Sequence, residues 1–193
     1  NCCWIVDTLD GTKEFIKRND EFTVNIALVE DGELLLGVIY APALKLLYYT
    51  NQNKSEAFKL QIKESTVIED YLFHKDTKIG PFKAEKDLVK VVASRSHLNE
   101  ATKNFIENIN DDEKVEIVSK GSSLKFCLVA EGQAHVYPRF APTMEWDTAA
   151  GQAICEAVGV QVIDLNTKKP MVYNRANLLN NHFLVSKNGT SIS

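Results

Sequence analysis

The sequence has no apolar run approaching the ~20 consecutive residues that a membrane span requires, so a helical membrane anchor is not expected. It also lacks a basic surplus. Its 22 Lys and Arg are fewer than its 26 Asp and Glu, for a net charge of −4 and a pI of about 5.6. Such a chain cannot neutralise a long row of phosphates, which argues against nucleic acid polymers as partners. A small phosphate ester needs only a few placed cations or metal ions and stays open. Cysteine is scarce: Cys2, Cys3, Cys127 and Cys155 have no metal-ligand spacing, and two of the four are adjacent, a poor basis for a disulfide framework. They read as reduced thiols in a cytoplasm, with Cys127 and Cys155 on apolar helix faces as small buried hydrophobes. With 9 Gly, 5 Pro, 45% hydrophobic and 25% charged residues, the composition excludes collagen, coiled coil and disorder and fits a soluble globular chain of one domain or two small ones.

What is present begins abruptly. Asn1-Cys2-Cys3-Trp4-Ile5-Val6-Asp7 has neither an initiator Met nor a signal-peptide layout, and reads as a buried strand entered in mid-domain, as in a fragment. Strands are expected at 3–6, 22–30, 34–40, 46–50 and 57–62, joined by turns at Asp31-Gly32 and Asn51 to Lys54, which implies an antiparallel meander. Between 64 and 86 the pattern weakens, and Gly80-Pro81 marks a boundary between a β region, 1–86, and an α/β region, 87–193. Beyond it strands at 88–93, 115–118, 134–137 and 161–164 alternate with helices at 99–109, 122–131 and 147–158, and a closing strand lies at 183–186. Alternation of this kind predicts helices packed on a sheet, an α/β fold.

The densest polar cluster on an apolar segment is Asp7-Thr8-Leu9-Asp10-Gly11-Thr12. Two carboxylates leaving one tight turn suit a hard divalent cation such as Mg²⁺, and the Leu9 carbonyl lies between them. Amides of Gly11 and Thr12 at a helix start favour a phosphate oxygen. The plainer alternative has Asp7 ending a strand and Asp10 capping a helix. A second cluster, Trp146-Asp147-Thr148-Ala149-Ala150-Gly151, places Asp147 at a helix N-cap ahead of a closely packing helix, which is equally a structural device when taken alone.

Taken together and in this order, the two clusters resemble the two signatures of the inositol monophosphatase superfamily of metal-dependent, lithium-sensitive phosphatases. Asp10 to Ile16, Phe22 to Leu28, Ser94-Arg95-Ser96-His97, Gly121 to Cys127 and Tyr137-Pro138-Arg139-Phe140 are similar to its 3′(2′),5′-bisphosphate nucleotidase branch. Thr8 stands where the family usually has Pro. The family also carries an upstream Glu metal ligand and an upstream acidic residue that helps Thr12 activate water, and neither lies within this sequence.

The resemblance implies an α+β layered sandwich of the sugar-phosphatase type. It implies a hydrolase acting in sulfate assimilation, which converts adenosine 3′,5′-bisphosphate to AMP and phosphate with two or more Mg²⁺ ions. Asp7, the Leu9 carbonyl, Asp10 and Asp147 would hold the ions, and Thr12 would orient water. Asp7, Asp10, Thr12 and Asp147 would be the catalytic set. Substrate would meet Leu9, Asp10, Gly11, Thr12, His97, Ser122, Lys125, Arg139 and Asp147, with Lys125 and Arg139 on the second phosphate. An inositol monophosphatase-like sugar phosphatase and an inactive remnant that binds phosphate or metal weakly are the alternatives. The chain is expected in the cytoplasm, with a homodimer and peripheral attachment to the inner membrane left open. Exposed apolar surface is expected on one face of the first sheet, where the family's N-terminal helices would lie.

Overall fold

Alternating side chains and tight turns fold the first third of the chain into a five-stranded antiparallel meander, β1 (Cys2–Asp10), β2 (Thr23–Glu30), β3 (Glu33–Ala41), β4 (Leu46–Thr50) and β5 (Ala57–Gln61), in sequential order. The coordinates are a computed structural model that describes residues 1–63, 67–81, 88–93, 99–109 and 114–187. Asp31 and Gly32, both at positive φ, close the β2–β3 hairpin as the Asp-Gly pair predicts. A short helix, α1 (Thr12–Lys17), interrupts the meander after β1.

The second sheet is mixed and has the order β7-β6-β8-β10-β9. Its strands are β6 (Leu88–Ala93), β7 (Lys114–Ser119), β8 (Val136–Arg139), β9 (Val160–Asp164) and β10 (Phe183–Lys187). β6 runs parallel to β7 and β8, whereas β10 is antiparallel to β8 and β9. Three helices serve it: α2 (Glu100–Glu107), α3 (Leu124–Ala130) and α4 (Glu145–Glu156). The α/β expectation therefore holds, with element positions within a few residues of those read from sequence. The boundary placed at 86 lies outside the described residues.

α3 and α4 form the middle layer. One continuous core joins Ala27, Val29 and Ile39 of the first sheet to Leu124, Phe126, Ala153 and Ile154 of the helices and to Val162 and Phe183 of the second sheet. A smaller cluster seats Phe105, Ile106 and Ile109 of the α2 segment against Val89, Val91 and Val136. Small residues let α4 sit close to both neighbours. A Cβ on Gly37 would lie 2.6 Å from the Ala150 carbonyl oxygen, and one on Gly151 would lie 2.5 Å from the Phe126 ring.

One local expectation changes and another holds. Trp4 to Val6 is not the end of a buried strand: β1 continues to Asp10, and Trp4 and Val6 are 60% and 46% exposed. They stand in register with Leu28 and Leu36 and with Ile26 and Val38, so the first sheet presents an apolar outer face. Cys127 and Cys155 are buried free thiols as expected, and burial raises both their pKa values.

Candidate active site

β1 loses register with β2 between Asp7 and Asp10, and this irregularity brings both carboxylates to the end of the strand. Asp7 Oδ1 accepts the Leu9 amide at 2.9 Å, an Asx-type turn that holds the backbone between them. Gly11 follows at φ +86°, where a Cβ would also come 3.1 Å from Ser122 Cβ and 3.3 Å from the Glu21 carbonyl, so both conformation and space call for glycine. Thr12 then opens α1 and is exposed.

Asp147 reaches the same place from 137 residues further along the chain. It is not the N-cap of α4: that position is Met144, and Asp147, in the first turn, accepts the Met144 amide on Oδ2 at 2.7 Å. The helix start is anchored by a residue the sequence reading passed over. Glu145, 1% exposed, pairs with Arg175 Nε at 2.8 Å and accepts the Asn174 amide at 2.8 Å. Asn180 adds a bond from Nδ2 to the Met144 carbonyl at 2.8 Å. Trp146, the first residue of the second cluster, is only half-buried.

Ligand oxygens of Asp7, Asp10 and Asp147 lie within 4.8 Å of one another. Burial pushes the Asp147 carboxyl up to about 6, countered by the Met144 amide and reinforced by the charges of Asp10 and Asp7. Burial likewise raises Asp7, countered by the Leu9 amide and reinforced by Asp10. Three crowded carboxylates, two of them desolvated enough to resist ionisation, are the donor set that a hard divalent cation relieves. The residues present therefore fit a metal centre. Asp7, Asp10 and Asp147 are brought together as expected, and Leu9 sits in the turn between the first two.

A basic end adjoins the acidic one. Lys125 and Arg139 line one cavity with Asp10, Asp147 and Ser122, and a second cavity with Asn99, Thr102 and Phe140. Burial pushes Lys125 down to about 8; Arg139 reinforces the shift and Asp10 opposes it. Its Nζ donates to the Ser122 carbonyl at 2.6 Å and lies 5.7 Å from the centre of the Tyr137 ring. Arg139 Nε is buried with no hydrogen-bond partner among the described residues. Ser122 is at the site with its hydroxyl turned to the Asp10 carboxylate at 2.5 Å. His97, with the whole Ser94 to His97 motif, lies outside the described residues.

Thr23, Asn25 and Ser123, which sequence reasoning did not single out, are all buried at the site. Asn25 Nδ2 donates to Ser123 Oγ at 2.8 Å, and Thr23 Oγ1 donates to Asn25 Oδ1 at 2.9 Å. Alternation along β2 gave no signal for them, since it favours burying Val24, Ile26 and Leu28; in the structure Thr23 and Asn25 share their strand face with buried Ala27 and Val29, so polar groups enter a closed layer and need partners there.

The profile of the inositol monophosphatase family matches residues 1–190. The chain is 45% identical over 183 residues to the 3′(2′),5′-bisphosphate nucleotidase CysQ of Salmonella typhimurium, covering 95% of this chain and 67% of that protein. In structure it is similar to CysQ from Bacteroides thetaiotaomicron, a bacterial member of the inositol monophosphatase family, with a TM-score of 0.85 and 46% identity, over 96% of this chain and 70% of that one. Inositol monophosphatase II from Staphylococcus aureus shares the fold at a TM-score of 0.74 and 20% identity, over 98% of this chain and 64% of the other. The chain thus spans about two thirds of the length of these relatives.

Proposed function

The chain belongs to the inositol monophosphatase family, and from that premise we propose that it is a 3′(2′),5′-bisphosphate nucleotidase that releases the 3′-phosphate of adenosine 3′,5′-bisphosphate to leave AMP. The observation that carries the choice of substrate is that one cavity is lined both by the carboxylates of Asp10 and Asp147 and by the cations Lys125 and Arg139. A monophosphate would leave the basic end without an anion. Relatives 45% identical over 95% of the chain carry the bisphosphate nucleotidase name, which supports the same reading.

In this reading Asp7, the Leu9 carbonyl, Asp10 and Asp147 hold Mg²⁺, two or more ions. Such ions, when bound, make a hydroxide available near neutral pH and neutralise charge on the phosphoryl oxygens. Thr12 orients the attacking water, and the amides of Gly11 and Thr12 hold the phosphate being cleaved. Water attacks directly and no phosphoenzyme forms. Lys125 and Arg139 take the second phosphate through charge-assisted hydrogen bonds, for which the buried Arg139 Nε is a donor in waiting. His97 is a further substrate contact proposed from the family pattern.

Among the described residues no helix is long and apolar enough to cross a membrane. We place the enzyme in the cytoplasm, where free thiols such as its four cysteines persist. Light scattering reads whether two copies associate through the apolar outer face of the first sheet. Vesicle sedimentation reads attachment to a membrane surface.

The test is phosphate release from adenosine 3′,5′-bisphosphate with Mg²⁺, against inositol 1-phosphate as the competing substrate. Metal-dependent release from the bisphosphate, lost on chelation, is expected. A preference for the inositol ester would overturn the assignment in favour of a sugar phosphatase. Metal binding without turnover of either would favour the inactive form.

A further inference from the structure

Asp10 is held in an unusual way. Its Oδ2 accepts the Ser123 amide at 2.7 Å, the Ser123 hydroxyl at 2.7 Å and the Ser122 hydroxyl at 2.5 Å, with Thr23 Oγ1 and Asn25 Nδ2 each at 3.4 Å. Every hydrogen bond that the described residues offer this carboxylate falls on Oδ2, and none falls on Oδ1. A carboxylate oxygen has about two lone-pair sites, so Oδ2 is saturated while Oδ1 keeps its full capacity.

Ser123 is the centre of this arrangement. It is 2% exposed and is the residue before the first turn of α3. Because Asn25 Nδ2 donates to its Oγ, the single hydroxyl proton is left for Asp10 Oδ2 or for the Asp147 carbonyl, 3.0 Å away. One side chain therefore ties together the end of β1, the start of β2 and the first turn of α4. The amide of Asn25 cannot swing away to release it, being 1% exposed and held at Oδ1 by Thr23.

We propose that Ser123, oriented by Asn25, is a positioning residue that fixes the Asp10 carboxylate so that it meets the cation through Oδ1 alone, and that locks the spacing of Asp10 from Asp147. The inference rests on the reading that Asp10 and Asp147 hold the metal. Groups that orient a metal ligand typically contribute about 10-fold to 100-fold in metal affinity or activity.

Mn²⁺ binding to the full chain, followed by the electron paramagnetic resonance of the free ion, tests it without recourse to turnover. Asp10→Asn, Ser123→Ala and Ser123→Thr are compared with the unmodified chain, with folding checked by circular dichroism. Asp10→Asn is expected to lose tight Mn²⁺ binding, Ser123→Ala to weaken it about 10-fold or more, and Ser123→Thr, which keeps the hydroxyl, to restore most of it. In turnover, Ser123→Ala should need more metal for half-activation while KM for the bisphosphate at saturating metal stays near the unmodified value. If Ser123→Ala does not fold, Ser123→Cys is read in its place, since it keeps the volume and exchanges the hydroxyl for a weak donor. Unchanged Mn²⁺ affinity in Ser123→Ala, or a folded Ser123→Thr that recovers nothing, overturns the positioning role. Unchanged affinity in Asp10→Asn instead overturns the metal reading beneath it.

Discussion

The acidic group of the site, Asp7, Asp10 and Asp147, crowds three carboxylates within 4.8 Å, and two of them are pushed toward their protonated forms; in the basic group Lys125, beside Arg139, is pushed toward its neutral form. Opposite charges have been treated alike. Each end carries a cost from burial and from like charge that only a ligand of the other sign removes: cations at the acidic end, an anion at the basic one. The difference lies in how each end is built. The acidic end is braced, with Asp10 Oδ2 held by the Ser123 amide and the Ser122 and Ser123 hydroxyls, and the start of α4 held by the Glu145–Arg175 pair. The basic end is left with spare capacity, since Arg139 Nε has no hydrogen-bond partner among the described residues and Arg139 Nη2 meets the Pro142 carbonyl at a long 3.4 Å. A rigid acidic end suits ions that must sit at fixed distances. An under-committed basic end suits a substrate that arrives and leaves.

The sharpest way to break this comparison is to remove an acid. Asp7→Asn should cost on the order of 10³-fold or more in metal-dependent phosphate release, the scale of losing several kcal/mol of charge stabilisation. Retention of most of the rate would mean that the acidic end is structural. At the basic end, the double change Lys125→Ala with Arg139→Ala should cost about 10²-fold to 10⁴-fold on the bisphosphate, from roughly 1.5–3 kcal/mol per charged hydrogen bond. A monophosphate should lose far less. Equal losses on both substrates would erase the distinction between the ends.

Gly151→Ala probes the bracing. The added methyl would meet the Phe126 ring at 2.5 Å and push α4 outward. The expected cost is about 1–3 kcal/mol in denaturant unfolding, together with weaker metal binding as Asp147 moves with its helix. A stable variant with unchanged metal affinity would show that α4 has slack.

The smallest effect concerns pH. Asp147 has a raised folded pKa, about 6 against an ordinary 3.8, so its favourable contribution to the metal-free protein is complete below about 4 and is lost as pH rises through 6. Asp147→Asn should therefore gain in melting temperature over the unmodified chain, in chelator, as pH goes from 4 to 7, with the difference levelling off above 7. Added Mg²⁺ should reverse the order at pH 7, since only the unmodified chain keeps the full ligand set. A difference that does not vary with pH would mean that the carboxylate is not desolvated.

Much of the molecule was legible in local pattern. Asp31-Gly32 marked the hairpin and with it the start of β3, alternation at its start marked β2, and the run from Leu88 to Ala93 gave β6 with its observed ends. Asp7 and Asp10 could be paired by eye because only two residues separate them. Resemblance, rather than spacing, attached Asp147 to them, and its place within α4 was misjudged by the length of a turn because the N-cap fell on Met144, which no capping preference favours. β2 carries the clearest lesson. Its more apolar face, Val24, Ile26 and Leu28, is the one that pattern alone would send to the core, yet α4 packs on the other, over Thr23, Asn25 and Ala27.

What the sequence determined by itself was the order of strands and helices and the chemistry carried by two short clusters, because turns, caps and periodicity act over a few residues. Tertiary structure decided which face of β2 closes over the site, that Asp147 joins Asp7 and Asp10, and that Oδ2 of Asp10 is filled while Oδ1 is not. The first two of those outcomes depend on how near α4 can approach. Gly37 and Gly151 permit an approach that a single methyl would forbid, and no local rule along the chain records that distance.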